Sequence, residues 1–216
     1  EGYAGTIVRP VLTPDAREHT VDVHLVIEEG TLTHIRHIHI RGNTRTRDKV
    51  IRRELLIRPG DRYNSVRIDR SERIVQNLGF FGRVQTYDES TPDPAVRDLV
   101  MEVEEKRTGQ FMMGAGFSSV GQLVGFLELS QGNFDLFGWP YFTGGGQKLR
   151  TRLQFGTTRR RFDVSFVEPW FLDRRLSLGV DLYRSDSDFD DYSLTRTGGA
   201  ISIGKSLPGP NRINYR

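Results

Sequence analysis

The sequence contains no cysteine, so disulfide scaffolds, zinc ribbons and thiol catalysis are excluded. It also has no apolar run close to the roughly 20 residues that a membrane-spanning helix needs. The sequence also lacks a large excess of either positive or negative charge. The formal net charge is +3, and the arginines are interleaved with acidic residues, which argues against a nucleic-acid partner. A soluble protein or a strand-based membrane protein remains, because transmembrane strands hide only alternate residues in lipid.

Catalytic and cofactor motifs are missing too. The glycine run 144–146 has no phosphate-loop context, and no GxSxG or HExxH motif appears, so we expect neither an enzyme nor a cofactor. His37 and His39 share a strand face, but no carboxylate follows at a useful spacing, so we interpret them as solvated and expect no metal site. The acidic stretch 186–191 lacks the Gly and Glu of an EF-hand and indicates an exposed loop.

The stretch 100–121 marks the boundary between two parts of the chain, because the alternation of polar and apolar residues indicates a different kind of strand on each side of Thr108. Before that residue, carboxylates alternate with apolar groups, as in a strand with one wet and one packed side. After it, Phe111, Met113, Ala115 and Phe117 are apolar while the residues between them are mostly small or polar. This pattern is typical of a strand with lipid on one side and a polar interior on the other.

Residues 5–107 predict a small α+β arrangement. Two extended segments within 5–30 predict a hairpin, which is too small to be stable alone. Next come a strand, a helix capped by Thr46, a second helix that starts at Asn64 or Ser65, and two strands. This order suits a helix pair covering one face of a sheet; the predicted elements are 34–41, 47–56, 65–79, 81–87 and 96–104.

From Thr108 onward the sequence alternates without a helical period. We predict antiparallel strands with their Arg and Lys side chains facing a polar interior; the segments are 110–118, 122–130, 148–155, 161–166, 176–183 and 198–206. Arg159–Arg161 are expected in a tight turn. Aromatic residues near strand ends predict an interfacial girdle of Trp139, Tyr141, Trp170 and Phe171. Five or six strands cannot close a barrel, so we expect an internal piece of a longer protein.

Several short motifs resemble known families. Gly42-Asn43-Thr44, Arg52-Arg53-Glu54 and Leu78-Gly79-Phe80-Phe81 are similar to the signature of a POTRA domain. The segment 103–109 resembles the passage from the last POTRA domain into the barrel of BamA-like outer-membrane assembly proteins. The segments 134–138 and 168–171 are similar to parts of the same barrels, with Glu168 where Asn or Asp is common.

The resemblance implies three parts: a hairpin from a preceding POTRA domain in 1–31, the last POTRA domain in 32–107, and the first five or six strands of an outer-membrane β-barrel in 108–216. It implies a bacterial outer-membrane protein with a periplasmic POTRA domain, which folds and inserts β-barrel proteins without nucleotide or metal. The implied partners are unfolded barrel clients, accessory lipoproteins and the lipid bilayer, with lipopolysaccharide as a further candidate.

In such proteins the first barrel strand acts as a lateral gate that pairs with clients. The resemblance assigns this role to Gly109, Gln110, Phe111, Met112, Met113, Gly114, Ala115, Gly116 and Phe117. An alternative stays open: a two-partner-secretion-type or translocation-assembly outer-membrane transporter. Two-partner secretion proteins carry the same RRE and LGFF spacing and export one large partner through the barrel.

Overall fold

The computed structural model describes residues 2–15, 20–117, 123–189, 191–206 and 212–215. Contacts divide the chain into two units, one of Glu1–Asn43 with Ile51–Glu105 and one of Thr44–Val50 with Lys106–Arg216. None of the helices in these described ranges has the length and apolar character needed to cross a membrane.

The first unit begins with the predicted hairpin. Strand β2 (Ile7–Asp15) pairs antiparallel with β3 (Thr20–Glu28), and the short β1 (Tyr3–Ala4) pairs with β4 (Thr31–Leu32). The hairpin is a separate two-stranded sheet, and the β3 side chains are exposed on both of its faces.

A mixed three-stranded sheet forms the rest of the first unit. The strands β5 (His34–Arg41), β6 (Phe81–Ser90) and β7 (Val96–Glu105) lie in the order β5-β7-β6, with β5 parallel and β6 antiparallel to β7. Helix α2 (Ser65–Asn77) packs against β6. Its predicted start is confirmed, because the Asn64 side chain accepts a hydrogen bond from the Arg67 N–H. The buried core residues include Ile35, Ile51, Val75, Phe81, Leu99 and Met101.

Helix α1 (Asp48–Arg52) is shorter than the predicted 47–56. Beyond it the backbone continues in tight turns, with the Glu54 N–H donating to the Ile51 carbonyl. The Leu56 N–H donates to the Ser71 hydroxyl at 2.9 Å. Because this acceptor comes from α2, the periodicity of residues 47–56 alone could not reveal where α1 ends.

The Gly-Asn and Leu-Gly-Phe-Phe motifs have structural roles. Gly42 has φ 88°, and a Cβ there would overlap the backbone carbonyl oxygen of Val103. Gly79 has φ 75° and follows the end of α2. Phe80 and Phe81 are buried and meet edge to face at 6.2 Å between ring centres. The left-handed backbone explains both glycines, and the close approach of the Val103 carbonyl adds a second reason at Gly42. The two phenylalanines form an aromatic pair in the core.

The second unit is a seven-stranded antiparallel sheet in chain order. Its strands are β8 (Gly109–Phe117), β9 (Leu123–Phe134), β10 (Gln147–Gly156), β11 (Arg159–Glu168), β12 (Leu176–Asp188), β13 (Ser193–Ser206) and β14 (Arg212–Tyr215), with a 3-10 turn at Phe171–Asp173. The prediction of five or six strands is therefore too low, because β14 adds a seventh.

Two predicted loops are also wrong. The arginine triplet that starts at Arg159 lies in β11 rather than in a turn, and Ser185–Asp188 extend β12. Arg159 pairs with Ser187 and Arg160 with Asp186 across these strands. Polar residues on the two strands therefore pair with each other and lengthen both strands. The polar composition of each segment by itself predicted a turn or loop instead. Asp190 of the acidic stretch lies outside the described residues.

The register confirms the predicted alternation of the two faces. On the apolar face Phe111 lies opposite Leu129, and Leu153 lies opposite Phe162. On the polar face Arg152 lies between Glu128 and Asp163. A pairing shifted by one residue would exchange the faces, so the two-residue period excludes such a shift.

Gly42→Ala and Gly60→Ala form a matched test of the close approach. Both glycines have a left-handed backbone, but a Cβ at Gly60 meets nothing within 4 Å. We expect Gly60→Ala to cost about 1 kcal/mol and Gly42→Ala about 3 kcal/mol, since the latter adds a steric overlap to the backbone strain. Urea unfolding of residues 1–107, followed by circular dichroism, measures both values. Equal costs would contradict the assigned role of the Val103 contact.

Candidate functional site

Strand β8 lies at one edge of the seven-stranded sheet. It pairs with β9 on one side, and in the described part of the chain no strand lies on its other side. Its bounds, Gly109 and Phe117, coincide with the stretch that the resemblance assigns to the lateral gate. Nearly all of its side chains are exposed, and Phe117 is 81% exposed. The role of these residues in pairing with a client stays a prediction.

The two inner glycines of β8 differ in their surroundings. Gly114 lies opposite Phe126, and a Cβ there would be 2.6 Å from the phenyl ring. The guanidinium carbon of Arg152 lies 5.1 Å from the centre of the same ring. Nothing lies within 4 Å of a Cβ built at Gly116. Gly114 therefore makes room for the Phe126 ring, whereas Gly116 leaves open space beside the edge.

The residue that precedes β8 is held by two hydrogen bonds to the end of β9. The Thr108 hydroxyl donates to Gln131 Oε1 at 2.8 Å, and the Gly132 N–H donates to the Thr108 carbonyl at 3.2 Å. These contacts hold the strand at Thr108, directly after the first unit ends. The far end finishes at the exposed Phe117.

The polar face of the sheet forms a concavity of about 410 Å³. Arg150 Nη2 lies 3.0 Å from Glu128 Oε2, so charges on this face are paired between strands. The prediction that these charged side chains share one side of the sheet is confirmed; the lining residues are Arg150, Arg152, Gln154, Arg161, Asp163, Ser165 and Asp181.

Segment Thr44–Val50 belongs to the second unit through its contacts with the β9–β10 connection. Arg47 Nη2 lies 2.5 Å from Asp135 Oδ2, and the Arg47 N–H donates to the Gly144 carbonyl at 3.0 Å. The Asn133 amide donates to the Thr46 hydroxyl at 2.9 Å. We call this set of contacts, made by residues 44–50 on residues 133–146, the connection clamp. Sequence analysis missed it and used Thr46 only as a helix cap.

Close packing around Asp135 explains the glycines of this connection. The Asp135 side chain is only 4% exposed. A Cβ at Gly138 or Gly145 would come within 3 Å of Asp135 atoms, and a Cβ at Gly144 would overlap the Arg45 carbonyl oxygen. The glycine run was the available sequence signal for a close backbone approach. It marks the connection clamp.

A second ion pair joins segment 44–50 to the β11–β12 connection. Lys49 Nζ lies 2.6 Å from Asp173 Oδ1, but both side chains are largely exposed. In the same connection, Glu168 accepts a hydrogen bond from the Trp170 N–H at 2.9 Å. Glu168 thus caps this turn.

The predicted girdle residues lie in the connections that follow β9 and β11. Trp139 and Tyr141 are more than four-fifths exposed, and the Trp139 ring meets Phe142 edge to face. The Arg175 guanidinium lies 5.5 Å from the centre of the Trp170 ring. Phe171 begins the 3-10 turn. Their contact with a membrane interface stays a prediction.

The structure adds a carboxylate to the two histidines that sequence analysis interpreted as solvated. Asp98 on β7 lies beside His37 and His39 on β5. The Arg36 guanidinium hydrogen bonds to Asp98 and holds the pKa of that carboxyl well below its usual range. Both histidines are exposed, as expected, but a carboxylate distant in sequence lies beside them. Asp98 is 61 residues from His37 in sequence, so local spacing could not find it.

Arg47→Ala and Lys49→Ala separate the buried from the exposed ion pair. Removing Arg47 leaves the buried Asp135 without its cation, which we expect to cost about 1–3 kcal/mol locally. Removing Lys49 should cost about 0.5 kcal/mol or less. Amide hydrogen exchange at residues 133–146 measures the difference as lost protection. Similar losses for the two variants would contradict the connection clamp.

Two family models match the chain. The POTRA model, described as a surface antigen variable number repeat, matches residues 33–106, and the Omp85 superfamily domain matches residues 142–216. The chain is 32% identical over 225 residues to the outer membrane protein assembly factor BamA of Neisseria meningitidis serogroup B. The match covers 99% of this chain and 27% of the relative. Identity to the protein of the same name from Nitratidesulfovibrio vulgaris is 31%, over 93% of this chain and 24% of that relative.

The fold is similar to the crystal structure of Haemophilus ducreyi BamA lacking POTRA domains 1-3. The TM-score is 0.79 at 23% identity, over 94% of this chain and 38% of that one. The chain spans about a quarter of the length of the curated relatives it matches. The chain contains a POTRA domain followed by part of an Omp85 superfamily domain, and over nearly its whole length it is similar to outer membrane protein assembly factors named BamA.

Proposed function

We propose that this chain is part of an assembly factor that folds β-barrel proteins and inserts them into the outer membrane. The POTRA domain lies in the periplasm, and the seven-stranded sheet is part of the membrane barrel. The observation that carries the proposal is the position of β8 at the edge of that sheet, where none of the described strands pairs with its outer side. Relatives that are named outer membrane protein assembly factors support the same function here.

The chemistry of the edge suits recognition of any strand. Each residue of β8 contributes a backbone donor and acceptor, and alternate residues of an antiparallel strand direct them away from β9. About four or five of the nine residues of β8 therefore direct their backbone N–H and C=O groups toward the outer side. Backbone pairing needs no particular client sequence, while the alternating faces require a client strand of matching pattern.

The membrane makes pairing at this edge strongly favourable. An unpaired backbone group in hydrocarbon costs several kcal/mol, so the outer side of β8 requires a partner strand. A strand of the same barrel and a client strand offer the same backbone bonds. Exchange between them is therefore nearly balanced in free energy, and small differences in side-chain packing decide which one is bound.

The composition of β8 keeps that packing weak. Glycine in a strand lowers β propensity and contributes no cross-strand side-chain contact. Gly116 has open space where a side chain would lie, next to the exposed end of the strand. The firmly held start at Thr108 leaves the register of β8 against β9 fixed while its outer side exchanges partners.

The POTRA domain supplies a second surface for partners. Its sheet has β5 and β6 as its edges, so an extended client segment or an accessory lipoprotein has a backbone template there. This domain receives clients before they reach the barrel. Neither unit is assigned catalytic chemistry, since strand exchange requires no covalent step.

Depletion of the full-length protein in its native cell tests the function. We expect a broad loss of unrelated barrel proteins from the outer membrane, measured by quantitative proteomics of outer-membrane and secreted fractions. Loss of one large exported protein with the other barrels intact would overturn the proposal. That result would assign the chain to a dedicated secretion transporter.

Gly116→Val tests the exchange at β8. A branched side chain favours the extended backbone and adds a contact at the edge, worth roughly 0.5–1 kcal/mol. We expect client insertion into reconstituted vesicles to slow about two- to fivefold, because the resident pairing is stabilised. Ala200→Val on the polar face of the interior strand β13 is the matched control, and its rate should not change.

Gly114→Val is expected to act differently. Its side chain would collide with the Phe126 ring, so the β8–β9 hairpin itself should be disturbed. Lower thermal stability for Gly114→Val but not for Gly116→Val, measured by heat-dependent gel mobility, is the expected pattern. Unchanged insertion rates for Gly116→Val would contradict the role given to this glycine.

A further inference from the structure

Two histidines of β5 and one aspartate of β7 meet in the POTRA domain. His37, His39 and Asp98 each offer one metal-ligating atom, and these atoms all lie within 4.8 Å of one another. The two imidazole rings are 5.9 Å apart between centres. Both histidines are exposed and Asp98 is buried, so a small cation from solvent has access to the imidazoles and the carboxylate together.

An irregularity in β5 brings the three residues together. The register of β5 against β7 shifts between Ile35 and Ile38. Within this shift, the His37 N–H donates to Asp98 Oδ1 at 3.1 Å instead of to a strand carbonyl. Bulges of this kind re-aim side chains. The backbone therefore fixes the first histidine directly against the carboxylate.

Arg36 prepares Asp98 as a ligand. Its Nη2 donates to Oδ2 at 2.5 Å and its Nε donates to Oδ1 at 3.0 Å. These bonds keep the carboxyl ionised and fix its orientation. Outer partners of this kind hold ligating carboxylates in known metal sites.

The separation of His37 and Asp98 fits a shared ion. His37 Nδ1 lies 3.2 Å from Asp98 Oδ1. Two ligands on a tetrahedral Zn²⁺, each about 2.0–2.2 Å from the metal, are about 3.4 Å apart. A ring nitrogen of the exposed His39 lies within 4.8 Å of both of these ligand atoms.

We propose that His37, His39 and Asp98 form a binding site for a divalent transition-metal ion, of which Zn²⁺ best suits two imidazoles and one carboxylate. The ion links the edge strand β5 to the central strand β7. It stabilises the POTRA domain through its binding free energy. Strand exchange at β8 requires no such ion, so this site goes beyond the proposed assembly function.

Zinc titration of the purified full-length protein tests the site. Metal is first removed with a chelator, and Zn²⁺ alone is then added in competition with a chromophoric chelator at pH 7.5. We expect the original protein to bind one zinc ion per chain. His37→Gln and His39→Gln should each weaken this binding at least tenfold. His24→Gln, an exposed histidine of β3 outside the cluster, is the matched control and should bind as the original protein does.

Two further measurements keep the outcome clear. Circular dichroism verifies that each variant is folded, and Asp98→Asn keeps an acceptor for the His37 N–H while removing the charge. We expect Asp98→Asn to weaken zinc binding, because the neutral amide is a poorer ligand than the carboxylate. Equal zinc stoichiometry and affinity in folded His37→Gln, His39→Gln and original protein would overturn the proposal.

Discussion

The backbone groups along the outer side of an edge strand need hydrogen-bond partners, and in the seven-stranded sheet that requirement falls on β8 at one edge and β14 at the other. The seven-stranded sheet satisfies its interior strands from within, since each pairs with its neighbours in sequence. Polar side chains on one face and apolar side chains on the other make the sheet suitable for a lipid boundary. We propose that the outer edge of β8 is where the protein pairs with other strands.

The connection clamp shows how a segment of the POTRA sequence becomes part of the barrel unit. Arg47 supplies both a side-chain cation for the buried Asp135 and a backbone donor for Gly144. The Lys49–Asp173 ion pair has a similarly short distance, but both of its side chains are exposed, so solvent screens the attraction and leaves it weak. Burial of the carboxylate, rather than the number of ion pairs, gives the clamp its strength.

Glycine serves several separate purposes in this molecule. Gly42 and Gly144 combine a left-handed backbone with a carbonyl oxygen that leaves no room for a Cβ. Gly114 provides space for an aromatic ring from the neighbouring strand, whereas Gly116 leaves a gap at the edge. On sequence alone, Gly114 and Gly116 are both assigned to the lateral-gate strand without distinction. The structure distinguishes them, because the neighbouring side chain decides what a missing Cβ does.

Alternation with a period of two determined the strands after Thr108 and their two faces, and turn glycines determined the end of α2, because both depend on neighbouring residues only. The predicted length of α1 and the predicted ends of β11 and β12 were wrong, because contacts with residues distant in sequence determine where these elements end. Only the tertiary structure decided that Asn133 meets Thr46 and that Asp98 meets His37, 87 and 61 residues apart. Contacts over such separations follow from strand order and register, which no local pattern encodes.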